Sequence, residues 1–406
     1  MAEEVEQIPP LDAATPTKFM LGMLGVYVLL IFSRVFEIGT AWGLATLRPM
    51  VIVTTVGMLA VVLSGAFARV LRTEIMVLLS SLTVWMLVCL PFSSWRSESL
   101  DQFLNQWLKS LVVFIVVVGL GLGMKGFRRA MFAMGWAAAL SSALVLPSFL
   151  HGTEGNAIDD RLSGTGSLSN ANEVAFHFLF GLPFVVWSIG QTDKKLTKII
   201  LMLVGILELA MVAKTVSREG LLIATILVFL TFFRLGFAGK VKLAIAVGIL
   251  AAVGISMLSD AAIQRYITLF SSNVSGEAAA SAMESSRTRK QKLQESVDLT
   301  VMHPIFGVGM GVFMPASVEL AKQQGHKPDW QVSHNSYTQV SSELGFPGIA
   351  LFLGVFASMF RQLFRVDRLA KAAGRKDMQT SAFCMFLSVV VLAVHFCFDS
   401  MAYLFY

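Results

Sequence analysis

The chain has 406 residues, of which 55% are hydrophobic and only 14% charged, with a formal net charge of +6 and a mean hydropathy of +0.71. A soluble domain of this size carries about a quarter charged residues, so a soluble globular protein is excluded. Apolar runs of about 20 residues recur from Phe19 to Phe398 and predict an all-α polytopic membrane protein.

Residues 1–18 are polar and acidic, contain Pro9, Pro10 and Pro16, and lack the basic start of a cleavable signal peptide. They are expected to form a short cytoplasmic tail. Nine membrane helices are predicted within 19–258, at 19–36, 49–68, 75–92, 104–123, 128–149, 173–190, 198–213, 220–234 and 241–258. Two more follow at 338–360 and 380–398, inside a last unit of 338–406, and Asp399 to Tyr406 leave room for part of a twelfth. Between helices 9 and 10, residues 259–337 are too long for a simple connection and predict a large loop domain with a function of its own. Its first part, Ser271 to Ser286, is rich in Ser, Gly and Ala. A helical stretch is expected from about Arg287 to Met302, followed by the turn Gly307-Val308-Gly309-Met310-Gly311.

Charge in the connections gives an orientation. Arg69 and Arg72, then Lys125, Arg128 and Arg129, then Lys194, Lys195 and Lys198, then Arg234, Lys240 and Lys242, and finally Arg361 to Lys376 fall on alternate connections. The positive-inside rule puts these in the cytoplasm with the N-terminus and puts 259–337 outside. The basic balance is therefore a topological signal, and no nucleic-acid partner is expected. Cys89, Cys384 and Cys397 lie in apolar runs and read as small packing residues, not as disulfides or metal ligands.

On the outer side the polar residues of interest are Arg161, Asn172, Arg218, Arg265, Arg287, Arg289, His303, His326 and His334. The positive-inside rule disfavours arginines there, so they need a reason. A guanidinium is always charged and presents a planar fork of donors that matches phosphate oxygens. Converging arginines would bind a diphosphate head group; the competing reading pairs Arg218 with Glu219. His334 is the candidate general base, since an imidazole titrates near neutral pH. Ser333 is placed to cap the following helix, Asn335 to orient neighbours, and Gly345 with Pro347-Gly348 to interrupt that helix early. His151, His177, His326 and His395 lack such a setting and are assigned structural or exposed roles. The glycine-rich turn lacks the Lys-Ser/Thr of a phosphate loop and reads as a tight backbone turn. Asp159-Asp160 alone do not make a metal site, and neither a metal nor a cofactor is expected.

Four segments resemble the O-antigen ligase and O-antigen polymerase superfamily of bacterial inner membranes. They are Arg161-Leu162-Ser163-Gly164 with Asn170-Ala171-Asn172-Glu173, then Ser217-Arg218-Glu219-Gly220, then Arg289 with His303-Pro304-Ile305-Phe306-Gly307-Val308-Gly309, and His334-Asn335-Ser336-Tyr337 with Glu343-Leu344-Gly345-Phe346-Pro347-Gly348. Their order and shared side span residues 161–348, while the first helices match only in hydropathy. Leu293 stands where many relatives have an aromatic residue. The resemblance implies a C-type glycosyltransferase architecture of about 11–12 transmembrane helices and a multi-pass inner-membrane location with a periplasmic active site. It implies a metal-independent, inverting transfer from a glycan on undecaprenyl diphosphate. Arg218 and Arg289 would grip the diphosphate, and His334 would activate the acceptor hydroxyl. Arg161, Asn172, Arg265, Asn335 and Tyr337 would complete the substrate site. Lipid A–core is the first expected acceptor and a second lipid-linked repeat the alternative. Protein O-glycosylation and a lipid-linked sugar flippase stand behind them. Membrane lipids are the remaining expected partner.

Overall fold

The computed structural model describes residues 16–38, 49–151, 161–164, 166–256, 260–267, 277–325 and 327–404. These residues are helical throughout their ordered elements, because in lipid every backbone polar group must be satisfied within its own segment. Thr17 and Thr73 cap α1 (Lys18–Ser33) and α3 (Glu74–Cys89), each hydroxyl accepting from a backbone N–H three residues on. Between them lies α2 (Pro49–Leu63). Helix α4 (Arg96–Leu120) carries one π-helical turn over Phe103–Trp107. Then follow α5 (Gly123–His151), α6 (Ala171–Gln191), α7 (Lys195–Lys214), α8 (Arg218–Arg234) and α9 (Phe237–Ser256).

Each of the eleven expected spans coincides with a helix. Eight are long and apolar enough to cross a membrane by length and composition, and α1, α2 and α8 are shorter. The chain is an all-α, multi-pass membrane protein. Its best-buried member is α6, whose Phe176, Phe178 and Trp187 are fully enclosed as it packs against α5, α7, α8 and α13 (Lys376–His395). That placement carries the start of α6 into the middle of one end of the bundle.

At the same end sit a short helix, Asp260–Ile267, then α10 (Glu277–Met302) and α11 (Phe313–Gln323). Helix α10 begins ten residues earlier than Arg287, the start expected from the sequence. Ala278, Ala279, Ala280 and Ala282 explain this, since alanine has the highest intrinsic helix propensity. A buried ammonium locks α10 to its surroundings: Lys292 Nζ donates to Glu295 Oε2, Ser317 Oγ and the Asp329 carbonyl, each at 2.9 Å. Burial raises the Glu295 carboxyl, but hydrogen bonds from Ser317, Lys292 and Gln291 outweigh it and leave the group below its ordinary value.

Helix α12 (Ser336–Ala372) breaks at Gly345, where φ is 70° and ψ −172°. The glycine-rich turn is bonded across that break. Val308 N donates to Ser342 O (2.8 Å), Gly309 N to Glu343 O (3.0 Å) and Phe346 N to Pro304 O (2.8 Å). On its other face, Ser94 N donates to Val308 O and Ser99 Oγ to Met310 O. The turn is thus a backbone strap between α4 and α12. Among the described residues no twelfth helix follows α13. Instead Phe396–Leu404 folds back in turns over α12, with Ser336 N donating to Phe396 O and Tyr403 OH to Glu343 Oε2.

Candidate functional site

A polar cavity of about 390 Å³ opens at this end of the bundle. Arg161 and Asn170 precede α6 and Asn172 lies in its first turn. Arg218 and Glu219 come from the first turn of α8, and Ser281, Glu284, Ser285, Thr288 and Arg289 from one face of α10. Gln331 and His334 come from the segment before α12. The spacing of the α10 residues, three and four apart, is that of one helical face.

The termini of the helices give the cavity its sign. Asn170 caps α6 by accepting from Asn172 N at 2.9 Å, and Ser217 caps α8 by accepting from Gly220 N at 3.0 Å. Two helix N-termini therefore add their positive dipole ends to Arg161, Arg218 and Arg289. Such a wall suits a multiply charged anion.

Arg161 is held in place. Its Nε donates to Thr215 O (2.9 Å) and its Nη2 to Asn172 Oδ1 (3.1 Å), an oxygen that also accepts from Ser217 Oγ at 2.7 Å. The α7–α8 turn that carries Arg218 is thereby tied to the start of α6. The turn itself contains Val216 at φ 48°, a left-handed conformation that a β-branched residue adopts only under constraint. Arg289 forms no hydrogen bond or salt bridge among the described residues. It lies about two turns beyond Ser281 on the cavity face of α10.

His334 also has left-handed backbone, at φ 53°. Ser333 Oγ donates to the Asn335 carbonyl at 3.0 Å, and Asn335 Nδ2 donates to Cys397 O at 3.2 Å, so both neighbours are fixed. Burial pushes the imidazole below its ordinary value, and the Arg289 cation pushes it further, with Asp399 acting in the opposite sense. The ring is therefore neutral and able to accept a proton at neutral pH.

The cavity brings together Arg161, Asn172, Arg218, Arg289 and His334. It does not bring in Asn335 or Tyr337. Asn335 is the N-cap of α12, accepting from Thr338 N at 3.0 Å, the role expected of Ser333. The helix starts at Ser336, which puts the cap one residue earlier, at 335. Tyr337 OH donates to Ala393 O, and its ring packs among Phe352, Phe356 and Phe396. The side chain of Arg265, like Asp159, Asp160, His326 and residues 1–15, lies outside the described residues. Arg287 is exposed on α10, and His303 lines a separate surface groove with Trp95 and Leu320. Among the described residues no three His, Cys, Asp or Glu side chains cluster as metal ligands would.

The sequence offers Glu219 only as a possible partner of Arg218 and gives His395 a structural or exposed role. In the fold they bond directly, His395 Nδ1 to Glu219 Oε1. A glutamate beside a site arginine and a histidine ending a membrane helix are the only sequence signals; 176 residues separate them.

Fold and cavity define a multi-pass membrane protein with a cationic, histidine-bearing site at one end of its bundle. Residues 199–353 match the family described as O-Antigen ligase, and over that segment the chain is similar to the O-antigen ligase and polymerase superfamily. The matched segment includes Arg218, Glu219, Arg289 and His334, whereas Arg161, Asn172 and His395 lie outside it. Members of that family are membrane glycosyltransferase-like enzymes. No curated protein matches the chain.

Proposed function

We propose that the protein is an inverting glycosyltransferase that moves a glycan from undecaprenyl diphosphate to an acceptor hydroxyl at the periplasmic face of the bacterial inner membrane, with lipid A–core as the acceptor. The observation that carries this reading is the convergence of Arg161, Arg218, Arg289 and His334 on one cavity, at the end of the bundle away from the basic connections. The family match supports lipid-linked glycans as the substrate class.

In this reading the diphosphate lies against Arg218, Arg289 and the α8 N-terminus. The acceptor oxygen attacks the anomeric carbon from the opposite face, and the bond from that carbon to the diphosphate oxygen breaks. The hydroxyl proton passes to the neutral His334 ring, and configuration at the carbon inverts. Negative charge grows on the leaving diphosphate, and fixed guanidinium groups stabilise it without having to reorganise. These groups supply the positive charge that a divalent ion supplies in metal-dependent transferases, so the proposed transfer is metal-independent.

The test is reconstitution of purified protein with an undecaprenyl-diphosphate glycan and two acceptors in separate reactions. Glycosylated lipid A–core is the expected product. A ladder of extended lipid-linked glycan in its place would make the protein a polymerase. Lipid translocation in vesicles with no transfer to either acceptor would defeat the transferase reading.

A further inference from the structure

Two carboxylates line the cavity, Glu284 on the exposed side of α10 and Glu219 beside the site arginines. Glu219 is 4% exposed, yet it lines the same cavity as Arg218, Arg289 and His334. One oxygen, Oε1, is bonded to His395 Nδ1; the other, Oε2, has no hydrogen-bond partner among the described residues. A buried acceptor without a partner carries a desolvation cost that a bound ligand removes.

His395 is built to hold that oxygen in place. It is fully buried at the end of α13 and stacks on Phe176 of α6, with ring centroids 3.8 Å apart and planes 6° apart. Its Nε2 lies 3.3 Å from Met401 Sδ and 3.7 Å from Asp399 Oδ2, both in the chain that folds back over α12. The aromatic face, the carboxylates on either side and the returning chain leave the imidazole one orientation. Glu219 is therefore held at the cavity wall with Oε2 buried and unbonded among the described residues.

A diphosphate has only acceptors at neutral pH and would be repelled by this oxygen. A sugar hydroxyl is a donor and would be bound by it. Resting on the transferase reading above, we propose that Glu219 contacts the transferred glycan: Oε2 accepts a hydrogen bond from a hydroxyl of the sugar nearest the diphosphate, and His395 is a positioning residue for it. The arginines would then read the diphosphate and Glu219 the sugar attached to it.

The experiment compares binding of two probes by the full-length protein in detergent: bare undecaprenyl diphosphate, and undecaprenyl diphosphate carrying a single hexose. Wild type should bind the hexosyl lipid more tightly. Glu219→Gln should weaken the hexosyl lipid about 10- to 100-fold, the range for a hydrogen bond to a charged group. Its binding of the bare lipid, which also reports folding, should not fall. His395→Gln should lose less discrimination than His395→Ala, and adding His395→Ala to Glu219→Gln should cost little more, as coupled residues do. Equal loss for both lipids, or unchanged discrimination in Glu219→Gln, would overturn the proposal while leaving the transferase reading intact. If wild type binds neither lipid, both fall.

Discussion

Arg218 and Arg289 approach the cavity from different elements, one from a helix N-terminus and one from a helix face, so under the proposed function each would contribute separately to binding the diphosphate. Removing one fixed donor to a developing oxyanion costs about 2.7–4 kcal/mol, or 10²–10³ in turnover. Arg218→Ala and Arg289→Ala should each show a loss in that range, and lysine should restore only part of it because it lacks the planar fork. Steady-state turnover of each variant checks this; near-normal rates in both would remove the phosphate assignment. A second expectation follows from His334. Burial and the Arg289 cation lower its proton affinity, so the neutral base persists through neutral pH and is lost only as pH falls through its depressed value. The rate should therefore have an acid limb with a midpoint below the ordinary histidine value of about 6.5. In Arg289→Lys the cation remains and the limb should stay; a midpoint above the ordinary value in wild type would contradict the account. At this scale the sequence was informative where arginines fell on connections that alternate with the basic ones. Adjacency misled: Asn335 and Tyr337 flank His334 in sequence, but capping and packing turn their side chains away from the cavity.

One of the backbone junctions between the elements that hold the site is the contact of the glycine-rich turn with the break in α12. Gly345 has φ 70°, and a Cβ there would stand 2.1 Å from the Ile305 carbonyl oxygen. Gly345→Ala therefore combines backbone strain of about 1–3 kcal/mol with a clash against main chain that has no flexible end to move. Thermal unfolding in detergent should show a clear loss of stability, and turnover should fall because the start of α12 carries His334 into place. A variant as stable and active as wild type would show that this junction does not position the site. The sequence marked the glycines and the early helix break, but not that the two are bonded together. Hydrogen bonds such as Val308 N to Ser342 O join segments by geometry rather than by residue type, and a backbone donor leaves no trace in the side chains. The start of α10 was missed for a simpler reason: a Ser/Gly/Ala-rich segment resembles a linker until its alanines are weighed as helix formers.

For the whole molecule, the span pattern was legible because lipid imposes it. Every expected span became a helix, and the basic connections fall at the end away from the cavity. What remained hidden was which helices meet: α6 as the buried centre, and α8 against α13, which joins Glu219 to His395. Apolar helices carry little information about their partners, since lipid-facing and helix-facing positions use the same residues. The orientation itself is testable. In a cysteine-free background, Ser286→Cys on α10 should react with a membrane-impermeant maleimide from the periplasmic side, and Ala373→Cys beyond α12 only after the inner membrane is opened. The reverse pattern would put the cavity in the cytoplasm. The most direct test of the central claim separates binding from chemistry in one variant. Donor binding and single-turnover transfer should be measured side by side for His334→Ala, with an undecaprenyl-diphosphate glycan as donor. The account predicts near-normal donor binding with transfer reduced about 10²- to 10⁴-fold, the share of a general base. Transfer at the wild-type rate would contradict it.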